Sequence, residues 1–371
     1  MAKRSAPARL ARLAVGAAAT AAVVWAVKDV PAQMGAAPTT GERGERVRRS
    51  PQFRDGKFRN SVPSSTVPEE PAKLLREFVR RQSDRKPAQP IPVVSGSARA
   101  ATDGLHITWY GHASALVEIE GRTVLLDPVW SDRVSPSQLA GPRRLHPVPV
   151  ALADLPEIDA VVISHDHYDH LDLETVTYLA RHHSAPFLVP LGIGAHLERW
   201  GIPLERIIEL DWHEDATVAG VRFTVTPARH FSGRGFTRDQ TLWGSWVIAG
   251  PTRKVFYSGD TGYFDAFAEI GEAYGPFDAT LVQIGAYGDG WPDIHMVPED
   301  GLRTHLDVRG GLLIPVHWCT FVLAFHPWSE PVERLWRDAK EHEVTLAVPR
   351  PGERIDVDNP PEVDPWWQSI A

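Results

Sequence analysis

From Leu105 onward the chain alternates short apolar runs with stretches whose apolar positions repeat every three to four residues. The first pattern predicts strands and the second predicts helices. HITWY reads as a strand, and SALVEIE, GR and TVLLDP as a hairpin. SDRVSPSQLAGPRR is a long loop, and DAVVIS a continuous apolar strand. Helix LETVTYLARHH, strand PFLVP and helix GAHLERWG follow, the last closed by Gly201. Strands are predicted over IIELDW, VRFTVTPA, SWVIAG and KVFYSG, and a helix over FDAFAEIGEAYG. DATLVQIGA, PEDGLRTHLDV and GLLIPVHW give strand, helix, strand. PVERLWRDAKEH is a last helix and EVTLAVPRPGERI a closing strand segment. Hairpins first, then strand–helix alternation, predict an α/β fold with two sheets sandwiched between helices.

Upstream of this region the pattern is lost. Residues 36–100 are rich in Pro, Ser, Arg and Glu. Periodicity survives only in PAKLLREFVRRQ, where Leu74, Leu75 and Val79 share one side of a short helix. The segment is read as an extended lead-in that wraps the domain, with disorder over part of it as the alternative. Residues 1–35 begin with Lys3, Arg4, Arg9 and Arg12, followed by an uncharged stretch from Leu13 to Val27. A basic flank before a short apolar run reads as a secretion signal or an N-terminal membrane anchor. Val30-Pro31-Ala32 offers a weak cleavage site, and the positive flank predicts export of the body of the chain. The expected division is a signal or anchor over 1–35, a lead-in over 36–100, a globular domain over 101–355 and a tail over 356–371. The Trp366–Trp367 pair in that tail is expected to pack on the domain.

Composition narrows the chemistry. The 371 residues are 43% hydrophobic and 23% charged, so most of the chain is globular. A formal net charge of −8 argues against a nucleic-acid partner. The lone cysteine, Cys319, excludes an intramolecular disulfide and a thiolate-based zinc site. A metal site must therefore draw on carboxylates and on the 16 histidines.

Those groups concentrate in SHDHYDHLD, residues 164–172, after the apolar run AVVI. His165, His167 and Asp169 are spaced by two, so in an extended strand exit they point to one side. His170 points elsewhere and can reach a second ion. Imidazole and carboxylate are the ligands of zinc when thiolate is absent. A purely structural cause is disfavoured, because uncompensated polar groups at the end of a buried strand cost free energy. His230, Asp260 and His317 each follow an apolar strand, so they can converge on the same edge. Each alone has an ordinary explanation as a loop or turn residue.

The pattern HxHxDH, then a distant His, an Asp and a final His, resembles the metallo-β-lactamase superfamily. The blocks SPSQLAGPRR, LPEIDAVVISHDHYDHLD, VPLG, IELDW, LWGSW, GDTGYF, GPFDATLVQIGAY and VHWCTF resemble the N-acylphosphatidylethanolamine phospholipase D family and its bacterial relatives. The resemblance runs from about Gly56 to Pro351. It implies an αβ/βα sandwich of two mixed sheets and two Zn2+ per chain. One ion would take His165, His167 and His230, the other Asp169, His170 and His317, with Asp260 bridging them. His295, in IHMVPED, would bind or protonate the phosphoryl group; Ile294 stands where the family has Gln. Cys319 replaces a Gly beside the last ligand and is expected to be a buried, inert thiol. His112 and Asp127 are expected to orient ligands.

The implied reaction is attack of a metal-bridging hydroxide on a phospholipid phosphodiester, giving phosphatidic acid and an N-acylethanolamine. Trp243, Trp246, Tyr263, Phe264, Tyr287, Trp291, Trp318, Phe321 and Phe325 lie close in sequence to the expected ligands. They are read either as an acyl channel or as core. A membrane surface is the expected partner, and monomer and homodimer both stay open. Lactone, lactam and thioester hydrolases share such metal sites, and the longer blocks disfavour them. Export and acidity disfavour a tRNA-processing nuclease. His167, where a diiron oxygen reductase has Glu, disfavours that class. A non-catalytic exported binding protein is disfavoured by the complete ligand set.

Overall fold

The computed structural model describes residues 30–65, 84–96, 103–235 and 237–371. The basic-apolar run at 1–29 and the helix expected over 71–82 lie outside these residues.

Two sheets form the frame. The first runs β15-β3-β4-β5-β6-β7-β8 and the second β14-β13-β12-β11-β10-β9. In the first, β3 (Leu105–Gly111), β4 (Ser114–Ile119) and β5 (Arg122–Leu126) are antiparallel. The β4–β5 connection is Glu120-Gly121, both at positive φ, the tight turn that matches strand twist. β6 (Ala160–Val162), β7 (Phe187–Pro190) and β8 (Ile207–Leu210) then run parallel, and β15 (Arg354–Asp356) closes the β3 edge. In the second sheet, β9 (Asp215–Val218), β10 (Val221–Thr226), β11 (Ser245–Ala249) and β12 (Lys254–Tyr257) are antiparallel. β13 (Phe277–Gln283) and β14 (Gly310–Val316) are parallel to β12.

Strand alternation builds the layers. Leu105, Ile107 and Trp109 turn into the core shared with Phe223, Val225, Trp246 and Ile248 of the second sheet. Tyr110, Leu116, Leu125 and Val161 turn outward, against Val176 and Leu179 of α3 (Leu173–His182) and Leu197 of α4 (Gly194–Arg199). On the far side, Phe267 and Ile270 of α5 (Ala266–Tyr274), Leu302 of α6 (Pro298–Asp307) and Leu335 of α7 (Glu330–Glu341) cover the second sheet. The expected αβ/βα sandwich is the observed one. Each large side chain buried here contributes about 1.5–3 kcal/mol.

The differences have local causes. The closing segment pairs only as a single Leu313–Leu346 bridge before β15, because Pro349 and Pro351 offer no N–H to a ladder. β9 escaped notice because DATV is short and half exposed. The lead-in is not simply extended. It holds α2 (Gly41–Arg49) and a hairpin of β1 (Phe53–Arg54) and β2 (Lys57–Phe58) turning at Asp55-Gly56. Residues 30–35, grouped with the leading segment by sequence, also pack on the domain. α1 (Val30–Gln33) ends on buried Gln33, whose carbonyl accepts from Arg234 Nε at 2.7 Å. The tail packs as expected, with Trp366 and Trp367 buried beside Trp318 and Trp336. Among the described residues no helix is long and apolar enough to cross a membrane.

Candidate metal centre

The strands of both sheets deliver their following residues to one edge. β3 ends before His112, β5 before Asp127, β6 before His165–His170, β10 before His230, β12 before Asp260 and β14 before His317. His112, Asp127, His317 and Cys319 all have positive φ, a conformation non-glycine residues adopt at a cost of about 1–3 kcal/mol each. Gly259, also at positive φ, passes so close to Ser164 that a Cβ would stand 2.8 Å from it.

Two groups of side chains form there. His165, His167 and His230 make the first; Asp169, His170, His317 and His112 make the second. In the first, His167 Nδ1 lies 2.9 Å from His165 Nε2 and 3.2 Å from His230 Nε2. In the second, Asp169 Oδ2 lies 2.9 Å from His112 Nε2 and 3.3 Å from His317 Nε2. Asp260 stands between them. Its Oδ2 is 3.0 Å from His317 Nε2, 3.2 Å from His170 Nε2 and 3.9 Å from Nε2 of His165 and of His230. The extended exit expected through Asp169 stops at His167. There the chain turns, with His170 and Leu171 N–H bonded to the His167 carbonyl, and Asp169 swings towards the second group.

A second layer of contacts aims these rings. Asp127 accepts from His170 Nδ1 at 2.7 Å, from Ser164 N–H at 2.7 Å and from the hydroxyls of Ser164 and Tyr257. His230 Nδ1–H donates to the Ile294 carbonyl at 2.9 Å, so a main-chain oxygen orients this ring beside the position where the family's Gln is missing. Asp166, inside the motif and not singled out by sequence, is buried and pins the loop. It pairs with His196 Nε2 at 3.2 Å and accepts from Gly233 N–H at 2.7 Å and Thr241 Oγ1 at 2.8 Å.

Electrostatics separate the groups. Burial and the neighbouring rings push His165 and His230 well below the usual imidazole range; burial pushes His167 down too, against the pull of Asp166 and Asp169. These rings are neutral at pH 7 and keep a lone pair. Burial alone would raise Asp169 and Asp260, yet the surrounding histidines hold both well below the carboxylate range. Burial lowers His170 as well, and Asp260, Asp169 and Asp127 outweigh it, leaving His170 well above its usual value. These carboxylates therefore draw positive charge to this point. His170 Nε2, His317 Nε2 and Asp260 Oδ1 are buried with no hydrogen-bond partner among the described residues. Orphaned buried groups cost about 1–3 kcal/mol each. Imidazole nitrogens and ionised carboxylates converging on such atoms fit divalent cations with N and O ligands.

His295 Nε2 is 3.9 Å from Asp260 Oδ2, and burial lowers His295 to about 4. Cys319 is buried, as expected, and burial pushes its thiol well up. A cavity of about 330 Å³ opens the cluster, with His167, Asp169, Asp260 and His295 on its floor and Phe231, Trp291, Ile294 and Leu323 on its walls. Arg238 stands at this cavity with its guanidinium over the Phe231 ring. Of the aromatics considered for an acyl channel, Trp291 lines it, with the Phe325 ring 5.8 Å away. Trp243, Trp246 and Phe264 are core, and Trp318 stacks on Trp109. Tyr263 bonds Asp307, Tyr287 stacks on His326, and Phe321 packs against His112. Phe231 and Leu323 carried no sequence signal beyond being apolar.

A family model described as a beta-lactamase superfamily domain matches residues 122–318, which hold every residue of the two groups except His112. An uncharacterized protein of Mycobacterium tuberculosis is 52% identical over 97% of this chain and 99% of its own length. An N-acyl-phosphatidylethanolamine-hydrolyzing phospholipase D of Caenorhabditis elegans is 36% identical over 68% of this chain and 75% of its own. Among solved structures, a metallo hydrolase from Ignicoccus hospitalis shares the fold at a TM-score of 0.53 and 24% identity, covering 68% of this chain and 97% of that one. With the sandwich fold and the His/Asp cluster at its strand ends, these likenesses make the chain a metal-dependent hydrolase of the metallo-β-lactamase superfamily, in the part of it that resembles the N-acyl-phosphatidylethanolamine phospholipases D.

Proposed function

We propose that this chain is a phospholipase D-type phosphodiesterase that holds two zinc ions and releases phosphatidic acid and an N-acylethanolamine from an N-acylated phospholipid. One ion belongs to His165, His167 and His230, the other to Asp169, His170 and His317, with Asp260 shared. The observation that carries this reading is the cavity, whose floor is the His/Asp cluster and whose walls are Phe231, Trp291 and Leu323. A charged floor under an apolar wall suits a diester joined to acyl chains. The name of the Caenorhabditis relative points the same way.

When bound, the two ions supply Lewis-acid activation of water and neutralise charge on the phosphoryl oxygens. The protein's own part is positioning. Asp127 and the Ile294 carbonyl fix the rings of His170 and His230. His295 faces the cavity beside Asp260. Its role is to bind or to protonate the phosphoryl group. At about 330 Å³ the cavity holds a headgroup and phosphate, so the acyl chains extend outward, in keeping with action at a membrane surface. Export, and anchoring or cleavage of the basic-apolar leader, belong to the same proposal and are read by cell fractionation and N-terminal sequencing.

The test is metal content and turnover together. The purified full-length chain is expected to carry two zincs and to release phosphatidic acid, and His167→Ala to lose the activity. Two metals without this turnover would discard the substrate and turn the search to lactones, lactams and thioesters. Less than one metal per chain would leave only a binding protein.

A further inference from the structure

The lead-in reaches the cluster itself. Phe58 of β2 is buried in the main core, and its N–H donates to the Asp239 carbonyl at 2.8 Å. Two residues on, Asn60 turns its side-chain amide onto the main chain of His230, 170 residues away. Asn60 Nδ2 donates to the His230 carbonyl at 2.8 Å, and Oδ1 accepts from His230 N–H at 3.0 Å and from Trp243 Nε1 at 3.1 Å. His230 follows the end of β10 at Thr226, so no sheet ladder serves its two main-chain groups. Asn60 takes the place of a neighbouring strand. Beyond it, Arg229 binds the Pro63 carbonyl and Ser64 Oγ, so the strap is fastened on both sides of the amide.

The ring of His230 is fixed independently, by Nδ1–H to Ile294. With backbone and ring both held, Nε2 is the atom left facing His167. We infer that Asn60 is a positioning residue for the first metal group: its amide fixes the main chain of His230 and so the direction of the His230 ligand atom. This rests on the dinuclear reading above. Asn60 lies outside residues 122–318, so the contact reaches the cluster from beyond the span that the family model matches. A cavity of about 320 Å³ borders Asn60, His230 and Trp243. Water can therefore replace a lost amide without collapse of the fold, but it cannot hold the direction.

The experiment measures zinc affinity of the full-length protein by competition with a chromophoric chelator, beside kcat and KM, for wild type, Asn60→Ala, Asn60→Asp and Ser64→Ala. Loss of an outer contact to a metal ligand typically weakens metal binding about 10–100-fold. Asn60→Ala is expected to weaken one of the two ions by that factor, leave the other unchanged, and lower kcat more than it raises KM. Asn60→Asp keeps the acceptor but cannot donate to the His230 carbonyl, so it is expected to lie between Ala and wild type. Ser64→Ala, which loosens the strap away from His230, is expected to hold both ions as wild type does. Wild-type affinity for both ions in the folded Asn60 variants, or an equal loss in Ser64→Ala, overturns the inference. If Asn60→Ala fails to fold, Asn60→Asp decides on the same criterion. A wild-type chain with fewer than one metal overturns the metal reading and this one together. Two metals without phosphatidic acid release overturns only the substrate.

Discussion

Asp127 Oδ2 lies 2.7 Å from Nδ1 of His170, and both side chains are completely buried. The two residues leave neighbouring parallel strands, β5 and β6, whose register sets Leu126 beside Val162. The carboxylate is thus delivered by sheet geometry, and it accepts two further hydroxyl donors, Ser164 and Tyr257. Asp127→Ala leaves these donors and an adjacent ring unpaired. Breaking such a buried pair costs about 3–5 kcal/mol. Chemical denaturation is expected to show that loss, and metal affinity is expected to fall about 10–100-fold. A variant as stable as wild type would show that the contact has no structural weight.

Metal and stability are linked. Asp260 is buried and Asp169 half-buried among the clustered histidines, and an ion that binds only the folded chain stabilises it by mass action. At a hundred-fold excess over Kd this amounts to about 2.7 kcal/mol per site. Calorimetry with chelator and with added zinc is expected to show a higher Tm with zinc. Equal Tm values would mean that the cluster does not hold the ion.

The acid limb of stability has a cause away from the cluster. His305 on α6 is buried against Thr280, and burial lowers it to about 4 from 6.5. The unfolded chain binds this proton between pH 6.5 and 4 while the folded chain does not, so stability falls as pH drops through that window and levels below it. His305→Gln is expected to flatten that part of the pH–stability curve. An unchanged slope in urea titrations at pH 6.5, 5.5 and 4.5 would assign the acid sensitivity elsewhere.

The tail is expected to be structural. Trp367 is 1% exposed, and its Nε1–H donates to Glu333 of α7 at 2.8 Å. Trp367→Ala should cost about 3–5 kcal/mol. Removal of residues 362–371 should lower Tm at least as far. A truncated chain that melts like wild type would contradict this packing.

Two tryptophans near the ligands in sequence should behave differently. Trp291 lines the cavity, so Trp291→Ala is expected to raise KM for long-chain lipid several-fold while sparing a short soluble diester. Trp246 is fully buried with Nε1–H on the Ile163 carbonyl, so its replacement is expected to unfold the chain. Identical effects on both substrates would remove Trp291 from the acyl path.

Local sequence settled what depends on neighbours along the chain. Apolar runs gave most strands, three-to-four spacing gave the helices from Leu173 onward, and the six positions from His165 to His170 announced metal chemistry. The recurrence of a ligand-type residue after an apolar strand was enough to expect one site, because strands of such a sandwich share an exit edge. Tertiary structure decided the partners. His112 meets Asp169 across 57 positions, and Asn60 meets His230 across 170. No periodicity records such pairs, since each depends on register, turn and sheet packing together. The same is true of the aromatics. Trp246 and Trp291 are equally apolar in sequence, and only strand alternation and loop path turn one into the core and the other toward the cavity.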